Sequence, residues 1–478
     1  MFNLRISTRF ILPIAAICFG FIGWIASDSD TSSRLNDGFS SVFESVKRSN
    51  FALFIAESRQ SEVQPLPIRQ TVLVNSVQPI AFTDKLVYQQ EQQPKLFILA
   101  QKKFSVEIYK YANGKNMMIQ SFQKSPSKRI DSLLFDTFTG FDQNKFEVFP
   151  IEVGKNEGWI SITIRQNNYV IDIPIFIEKA PKGNVLFVES TDTLKAYISG
   201  SGLRTFYQNL PVNIMGDFTR PKSYPTYYKI SQYNQHGNSS KNINCNEHLI
   251  NADFVLKNEL TKLGIPVDSV SDEFFDLNID LKNFRLIILG AHNEYWTELK
   301  IKKIHDFVEQ GGSLLILGGN TAYRWIARSD NYDLLWGEAV LKKSKMHKKF
   351  LTQIIGSYYD SDGYDTYAPF KYITGAGLLD QEKLIGKVFG DGSNFEKCKD
   401  KVKGASGHET DKLYYKSKGF AVLAKGMNKN RGGAEIVYKT FNKTGGQVLN
   451  FGSISLYHSF DDKIIKKLVL SFYKNSQD

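Results

Sequence analysis

Cysteine is scarce, with three in 478 residues: Cys18, Cys245 and Cys398. Cys18 sits in an apolar N-terminal run. The other two stand far apart in the chain, and their spacing does not say whether they pair. No Cys-x-x-Cys occurs, which argues against a zinc ribbon or a thioredoxin-like site. Acidic residues are outnumbered, 49 Asp and Glu against 60 Lys and Arg, for a net charge of +11. Such an excess can mean nucleic acid or anionic lipid. No nucleic-acid motif accompanies it, however, and no nucleic-acid partner is expected. The lysines are spread along the chain, with a short cluster at Lys342, Lys343, Lys345, Lys348 and Lys349, and read as solvated surface. What is present is an ordinary globular balance, 42% hydrophobic and 23% charged, able to build a large core without disulfide staples. The length predicts two or three domains.

Arg5 and Arg9 precede an apolar run from Phe10 to Ala26, and Asp28 and Asp30 follow it. A positive flank, an apolar stretch and an acidic flank describe a segment inserted with its N-terminus in the cytoplasm. The run is at the short end for a spanning helix, and a cleaved signal peptide is the rival reading. Bulky Trp24 sits poorly in a small-x-small cleavage site. Residues 1–27 are therefore expected to be a transmembrane anchor or signal segment, with the folded part membrane-anchored outside the cytoplasm or secreted. Residues 28–66, polar and Ser-rich, read as a tether.

Between Ile68 and Glu178 short alternating segments recur: Thr71 to Val74, Lys95 to Leu99, Ser105 to Tyr111, Trp159 to Arg165 and Tyr169 to Ile177. Asn113-Gly114, Gly154 to Gly158 and Asn167-Asn168 separate them as turns. About seven such strands predict an immunoglobulin-like β-sandwich over residues 67–180, closed by a hairpin around Asn167-Asn168. Ala180-Pro181-Lys182-Gly183 reads as a hinge. Beyond it, Val185 to Val188, Leu286 to Leu289 and Leu314 to Leu317 are short continuous apolar runs. Helical spacing at Phe254 to Leu263 and Thr297 to Glu309 lies between them. That pattern predicts βαβ units and a parallel sheet buried on both faces, an α/β domain over residues 181–478. Ligands of such sheets sit beyond the carboxyl ends of the strands.

Polar residues crowd those ends. Gly290-Ala291-His292-Asn293-Glu294-Tyr295-Trp296 places a base, a carboxylate, a phenol and an indole in one turn. Gly318-Gly319-Asn320-Thr321-Ala322-Tyr323-Arg324-Trp325 stands where hydrolases can hold a nucleophile. It has no Cys and no Gly-x-Ser-x-Gly, and Thr321 is its only hydroxyl, so nucleophilic catalysis is disfavoured. Gly404 to Asp411 is a third polar segment, which by itself reads as a surface loop.

Together these segments resemble the C-terminal domain of the N,N-dimethylformamidase large (beta) subunit. The resemblance is carried by Thr193-Leu194-Lys195-Ala196-Tyr197, by His292-Asn293-Glu294-Tyr295-Trp296 after Gly290 and the extra Ala291, by Gly318-Gly319-Asn320 with Tyr323, and by Gly407 to Asp411. It covers about Lys182 to the C-terminus. Ile198 stands where the family has Asn, and Arg324-Trp325 where it has Trp then Arg. The resemblance implies a class I glutamine amidotransferase-like (flavodoxin-like) fold. It also implies one ferric iron per chain held by two tyrosines and a glutamate, best matched by Tyr295, Tyr323 and Glu409. Such hard anionic oxygens suit Fe³⁺. A metal there would polarise an amide carbonyl. His292 and Glu294 are candidates to move the proton, and if Glu294 points away His292 or His408 would serve. Asn320 could stabilise an oxyanion. The expectation is an iron-dependent hydrolase of a small amide or related C–N bond, with room for a homo-oligomer or a small partner subunit. The alternative is a non-catalytic surface binding protein on a degenerate hydrolase-like scaffold.

Overall fold

Valine and isoleucine dominate the strands nearest the middle of the chain, and the register of their pairing shows why. The computed structural model describes residues 71–75, 78–197, 219–221, 248–392 and 403–477, less a few short stretches within these ranges. All of them belong to one unit, Leu66–Asp478.

The first part is built from β1 (Thr71–Asn75), β2 (Ile80–Thr83), β3 (Val87–Gln89), β4 (Lys95–Leu99), β5 (Phe104–Ala112), β6 (Lys115–Lys124), β7 (Ser132–Asp136), β8 (Gly140–Phe141), β9 (Glu147–Pro150), β10 (Gly158–Gln166) and β11 (Tyr169–Glu178). They form three sheets, β1-β7-β8, β2-β4-β9 and β3-β11-β10-β5-β6. Alternate residues of β10 and β11, among them Ile160, Ile162, Ile164, Ile171, Ile173 and Ile175, turn to one core shared with Leu96, Ile98, Val106 and Ile108. The period of two buries one face of each strand. The β10–β11 hairpin turns at Asn167, whose φ of 51° is the left-handed conformation a tight turn requires.

The second part carries β12 (Val185–Glu189), α1 (Thr191–Tyr197), α2 (Ile250–Lys262), β13 (Asp268–Ser271), α3 (Asp272–Asn278), β14 (Leu286–Leu289), α4 (Glu298–Glu309), β15 (Ser313–Ile316), β16 (Ser357–Asp360), β17 (Phe370–Tyr372), β18 (Val388–Phe389), β19 (Thr410–Leu413), β20 (Ala421–Gly426), β21 (Glu435–Thr440), β22 (Gln447–Asn450) and α5 (Lys463–Gln477). Its large sheet has nine strands in the order β13-β12-β14-β15-β22-β21-β20-β17-β18. The first five are parallel and the remainder antiparallel. Val185, Phe187, Leu286 and Ile288 face Leu256, Leu260, Leu468 and Phe472 of α2 and α5. The intervening Leu186, Val188, Ile287 and Leu289 face Phe275, Ile301, Ile304 and Val308 of α3 and α4. α4 begins where the Thr297 hydroxyl accepts from Lys300 N at 3.0 Å. It ends at Gly311, φ 105°, where Gly312 N returns to Phe307 O.

The expected fold class is corrected by this architecture. Strand outweighs helix and the large sheet is mixed, so the chain is not the parallel flavodoxin-like α/β domain expected. The reason lies in β17, β18, β20 and β21, short half-exposed strands joined without crossover helices, whose pattern lacks the continuous apolar runs of the parallel half. The first part is not the two-sheet immunoglobulin-like sandwich either. It has three sheets, and β3 joins β11 in parallel. The transmembrane anchor and the membrane-anchored placement are not supported. Among the described residues no helix is long and apolar enough to cross a membrane. Residues 1–27 and the tether over 28–66 lie outside the described residues.

Candidate active site at the strand ends

Close approach of backbone to backbone shapes the site first. A Cβ on Gly290, just past β14, would lie 2.1 Å from Oδ1 of Asp253, and one on Gly318, just past β15, 2.2 Å from the Ala291 carbonyl. Only glycine lets the two strand ends run this near each other. Ala291 N donates to Asp253 Oδ1 at 2.8 Å, and His292 then bridges to Gly319 as one more parallel pair.

The segment Ala291 to Trp296 is pinned from every side. Thr193, on α1, accepts from Glu294 N at 3.0 Å and Tyr295 N at 3.3 Å through its hydroxyl. Asn293 Nδ2 donates to Ser190 Oγ at 2.6 Å, and Asn293 Oδ1 accepts from Lys300 Nζ at 3.0 Å. Lys300 is wholly buried yet ion-paired with Asp272, which compensates a charge that burial alone would not tolerate. Across the gap, Ala322 N and Arg324 N donate to the carbonyls of Asn293 and Glu294.

Fixed this way, His292 and Glu294 point to one place. His292 Nε2 is 3.5 Å from Glu294 Oε2 and 3.3 Å from Glu409 Oε2. The Tyr197 hydroxyl donates to Glu294 Oε2 at 2.8 Å, and Arg324 Nε lies 3.5 Å from Glu294 Oε1. Asn320 Nδ2 donates to Glu409 Oε2 at 2.8 Å. Asp411 holds the turn beneath, its carboxylate accepting from Asn320 N at 2.8 Å and from Thr321 N at 3.4 Å. His292 and Glu294 are 1% exposed and Glu409 is 8% exposed, so the cluster is screened from bulk water.

Burial alone would discharge the His292 ring, but its contacts with Glu294 and Glu409 outweigh this and raise its pKa. Burial likewise works against an ionised Glu409, yet the imidazolium of His292, the His408 charge and the Asn320 amide lower its pKa well below the usual carboxylate range. Asp411 goes the other way, up to about 7, because burial outweighs the two backbone N–H donors. Burial, then the charges of Glu409, Tyr323 and Glu294, push the Tyr359 phenol up. Asn320, Ala322 and His408 all have left-handed backbone, with φ of 52°, 56° and 67°. Such conformations in residues other than glycine concentrate at functional sites.

His292, Glu294, Asn320 and Glu409, each anticipated from sequence, are thus brought together. Tyr295 is not. It packs against Ala196 and Ile326 in a small buried cluster. Tyr323 stands beside the cluster rather than in it, its ring 5.2 Å from Tyr359 and 4.6 Å from the Arg324 guanidinium. For Tyr197 the signal in the sequence is its place at the end of the Thr193 to Tyr197 segment. His248 had none. Its ring lies 5.0 Å from His292 and 4.6 Å from His408, and His408 Nδ1 is 3.0 Å from the Tyr367 hydroxyl.

Among the described residues no group of three or more His, Cys, Asp or Glu is arranged to hold a metal ion. An iron site would therefore have to draw on a phenol. Tyr197 supplies one on Glu294, and with Glu409 on the far side of His292 the oxygen donors are of the kind that fits ferric iron.

A family model described as "N,N-dimethylformamidase beta subunit-like, C-terminal" matches residues 151–467, more than half of the chain. No curated protein matches the chain. Matching solved structures include a beta-galactosidase from Rahnella sp. R3, with TM-score 0.34 and 12% identity, covering 62% of this chain and 31% of that one. They also include a carbohydrate acetylesterase from Xanthomonas citri, with TM-score 0.14 and 11% identity, covering 52% of this chain and 60% of that one. The chain thus spans about a third of the first and three fifths of the second, and likenesses this weak carry no argument about fold or function.

Proposed function

Because the chain belongs to the N,N-dimethylformamidase beta subunit-like C-terminal family, we propose that it is an iron-dependent hydrolase of a small amide or related C–N bond. Family membership supports the hydrolase-related role. The observation that carries the finer reading is the pair Glu294 and Glu409 meeting one buried imidazole, with the Tyr197 phenol on the first carboxylate.

Tyr197, Glu294 and Glu409 are the oxygen donors that would hold the iron. Tyr295 is left out because it packs with Ala196 and Ile326. The chemistry iron supplies when bound is Lewis acidity towards an amide carbonyl. His292, whose Nε2 lies 3.5 Å from Glu294 Oε2 and 3.3 Å from Glu409 Oε2, is placed to pass a proton to the departing nitrogen. Asn320 orients Glu409 through the bond from Nδ2, and Arg324 offsets the charge of Glu294. Burial of the cluster keeps these interactions strong by excluding water.

Metal content, the visible spectrum and hydrolysis of N,N-dimethylformamide by the purified chain test the reading. About one iron per chain, a tyrosinate band lost in Tyr197→Phe, and formate release are expected. A colourless chain that takes up no added iron and releases no formate overturns it and returns the surface-binding alternative.

A further inference from the structure

The carboxylate cluster has a continuation that the hydrolase reading leaves unused. Tyrosine rings lead away from it in steps of van der Waals size. Tyr323 meets the cluster through the Arg324 guanidinium, which lies 4.6 Å from its ring and whose Nε is 3.5 Å from Glu294 Oε1, and the Tyr359 ring is 5.2 Å from Tyr323. Tyr323 is 6.4 Å from Tyr358, Tyr358 is 6.0 Å from Tyr414, and Tyr414 is 4.7 Å from Tyr415. The pairing of β16 with β19, Ser357 opposite Leu413, brings Tyr358 beside Tyr414. The first four rings are half-buried, and Tyr415 is 78% exposed.

All five rings are tyrosine. A stripe that only packed the interior would be closed to water and rich in Leu, Ile or Phe, as the cores on either side of the large sheet are. Half-open phenols present a flat apolar face and a polar edge together. A pyranose is the complementary shape, with C–H groups on its faces and hydroxyls around its rim. An acyl chain or an apolar helix would call for aliphatic pockets, which the run lacks.

We propose that this run is a saccharide-binding track that delivers an N-acylated amino sugar of an oligosaccharide to the carboxylates. The inference rests on the amide-hydrolase reading above. In the reaction, the oxygen of water bonds to the acyl carbon and the C–N bond breaks. Both protons of the water end on the departing nitrogen, so the products are a carboxylate and the protonated amino sugar.

The probe is tetra-N-acetylchitotetraose, titrated calorimetrically into the full chain carrying Glu294→Gln to prevent turnover. The titration is repeated in the same background with Tyr415→Ala alone and with Tyr414→Ala added. Tyr415 is exposed, so its replacement leaves the fold intact. Saturable binding that weakens at least tenfold in the double variant, with the single variant between, supports the track. Absent binding, or affinity indifferent to both substitutions, overturns it. Acetate release from the tetramer and formate release from N,N-dimethylformamide are measured in parallel on the unsubstituted chain. Formate release without saccharide binding sinks the track and spares the hydrolase. Tyrosine-dependent binding without release of either acid sinks the hydrolase reading, and with it delivery to a reaction.

Discussion

The indole Nε1 of Trp159, on β10, donates a buried 3.0 Å hydrogen bond to Oε2 of Glu189, the last residue of β12. One strand belongs to the first part of the molecule and the other to the parallel half of the large sheet. The contact is reinforced by the ion pair of Glu189 with Lys257 and by a shared cluster of Trp159, Phe176, Ile250 and Phe254. Trp159→Phe keeps most of the apolar area and removes the donor from a buried carboxylate. A loss of about 1–3 kcal/mol is expected, read by urea unfolding. An unchanged midpoint would show that water replaces the indole without cost.

Glu178 closes β11 on the same border. Its Oε1 accepts from Ser271 N at 2.7 Å, and its Oε2 is buried without a hydrogen-bond partner among the described residues. Burial, against the donors from Ser271, pushes its pKa up from 4.5 to about 7. The folded state therefore keeps the proton between about pH 4.5 and pH 7 while the unfolded chain releases it. Stability is expected to fall as pH rises through that window, by at most about 3 kcal/mol from this group. Glu178→Gln should flatten this part of the profile. A thermal-unfolding pH series of both proteins checks it, and parallel profiles would refute the assignment.

Gly290→Ala is expected to be among the most disruptive single-methyl changes in the chain, because the new Cβ falls 2.1 Å from Asp253 Oδ1. Either Asp253 loses its bond to Ala291 N or the end of β14 moves, at a cost of several kcal/mol. Combining Gly290→Ala with Asp253→Ser should recover part of the loss. Soluble yield and melting temperature of the two variants decide the matter.

Asn320 separates backbone demand from side-chain role. Its φ of 52° is tolerated by glycine and strained for alanine. Asn320→Gly is expected to retain the fold but free Glu409, lowering amide hydrolysis by roughly ten- to hundredfold, while Asn320→Ala adds a loss of about 1 kcal/mol in stability. Equal stability of the two would contradict the backbone part. Full activity of Asn320→Gly would contradict the other.

Which residues meet could be read only partly from the chain. Gly290 to Glu294 and Gly318 to Asn320 were visible as polar turns after apolar runs, since buried parallel strands must be continuously apolar and their ends must carry the polar groups. Glu409 and Asp411 sit in a segment that reads alone as a surface loop. They reach the site only because β19 pairs with β16 and Asn320 N and Thr321 N bind Asp411.

Residue types, spacing and apolar runs by themselves determined that β12, β14 and β15 are strands, that polar residues gather after them, and that His292, Glu294 and Asn320 stand there. Tertiary structure decided the rest. Successive side chains of an extended segment alternate in direction, so only one of Glu294 and Tyr295 can face His292. Both are 1% exposed, and composition offers no parity to choose by. The bonds from Thr193 and the packing of Ala196 and Ile326 around Tyr295 turn Glu294 to His292, and the phenol that meets Glu294 is that of Tyr197. The antiparallel half of the large sheet was likewise settled in three dimensions, because its short strands are ordered by pairing in series outward from β22.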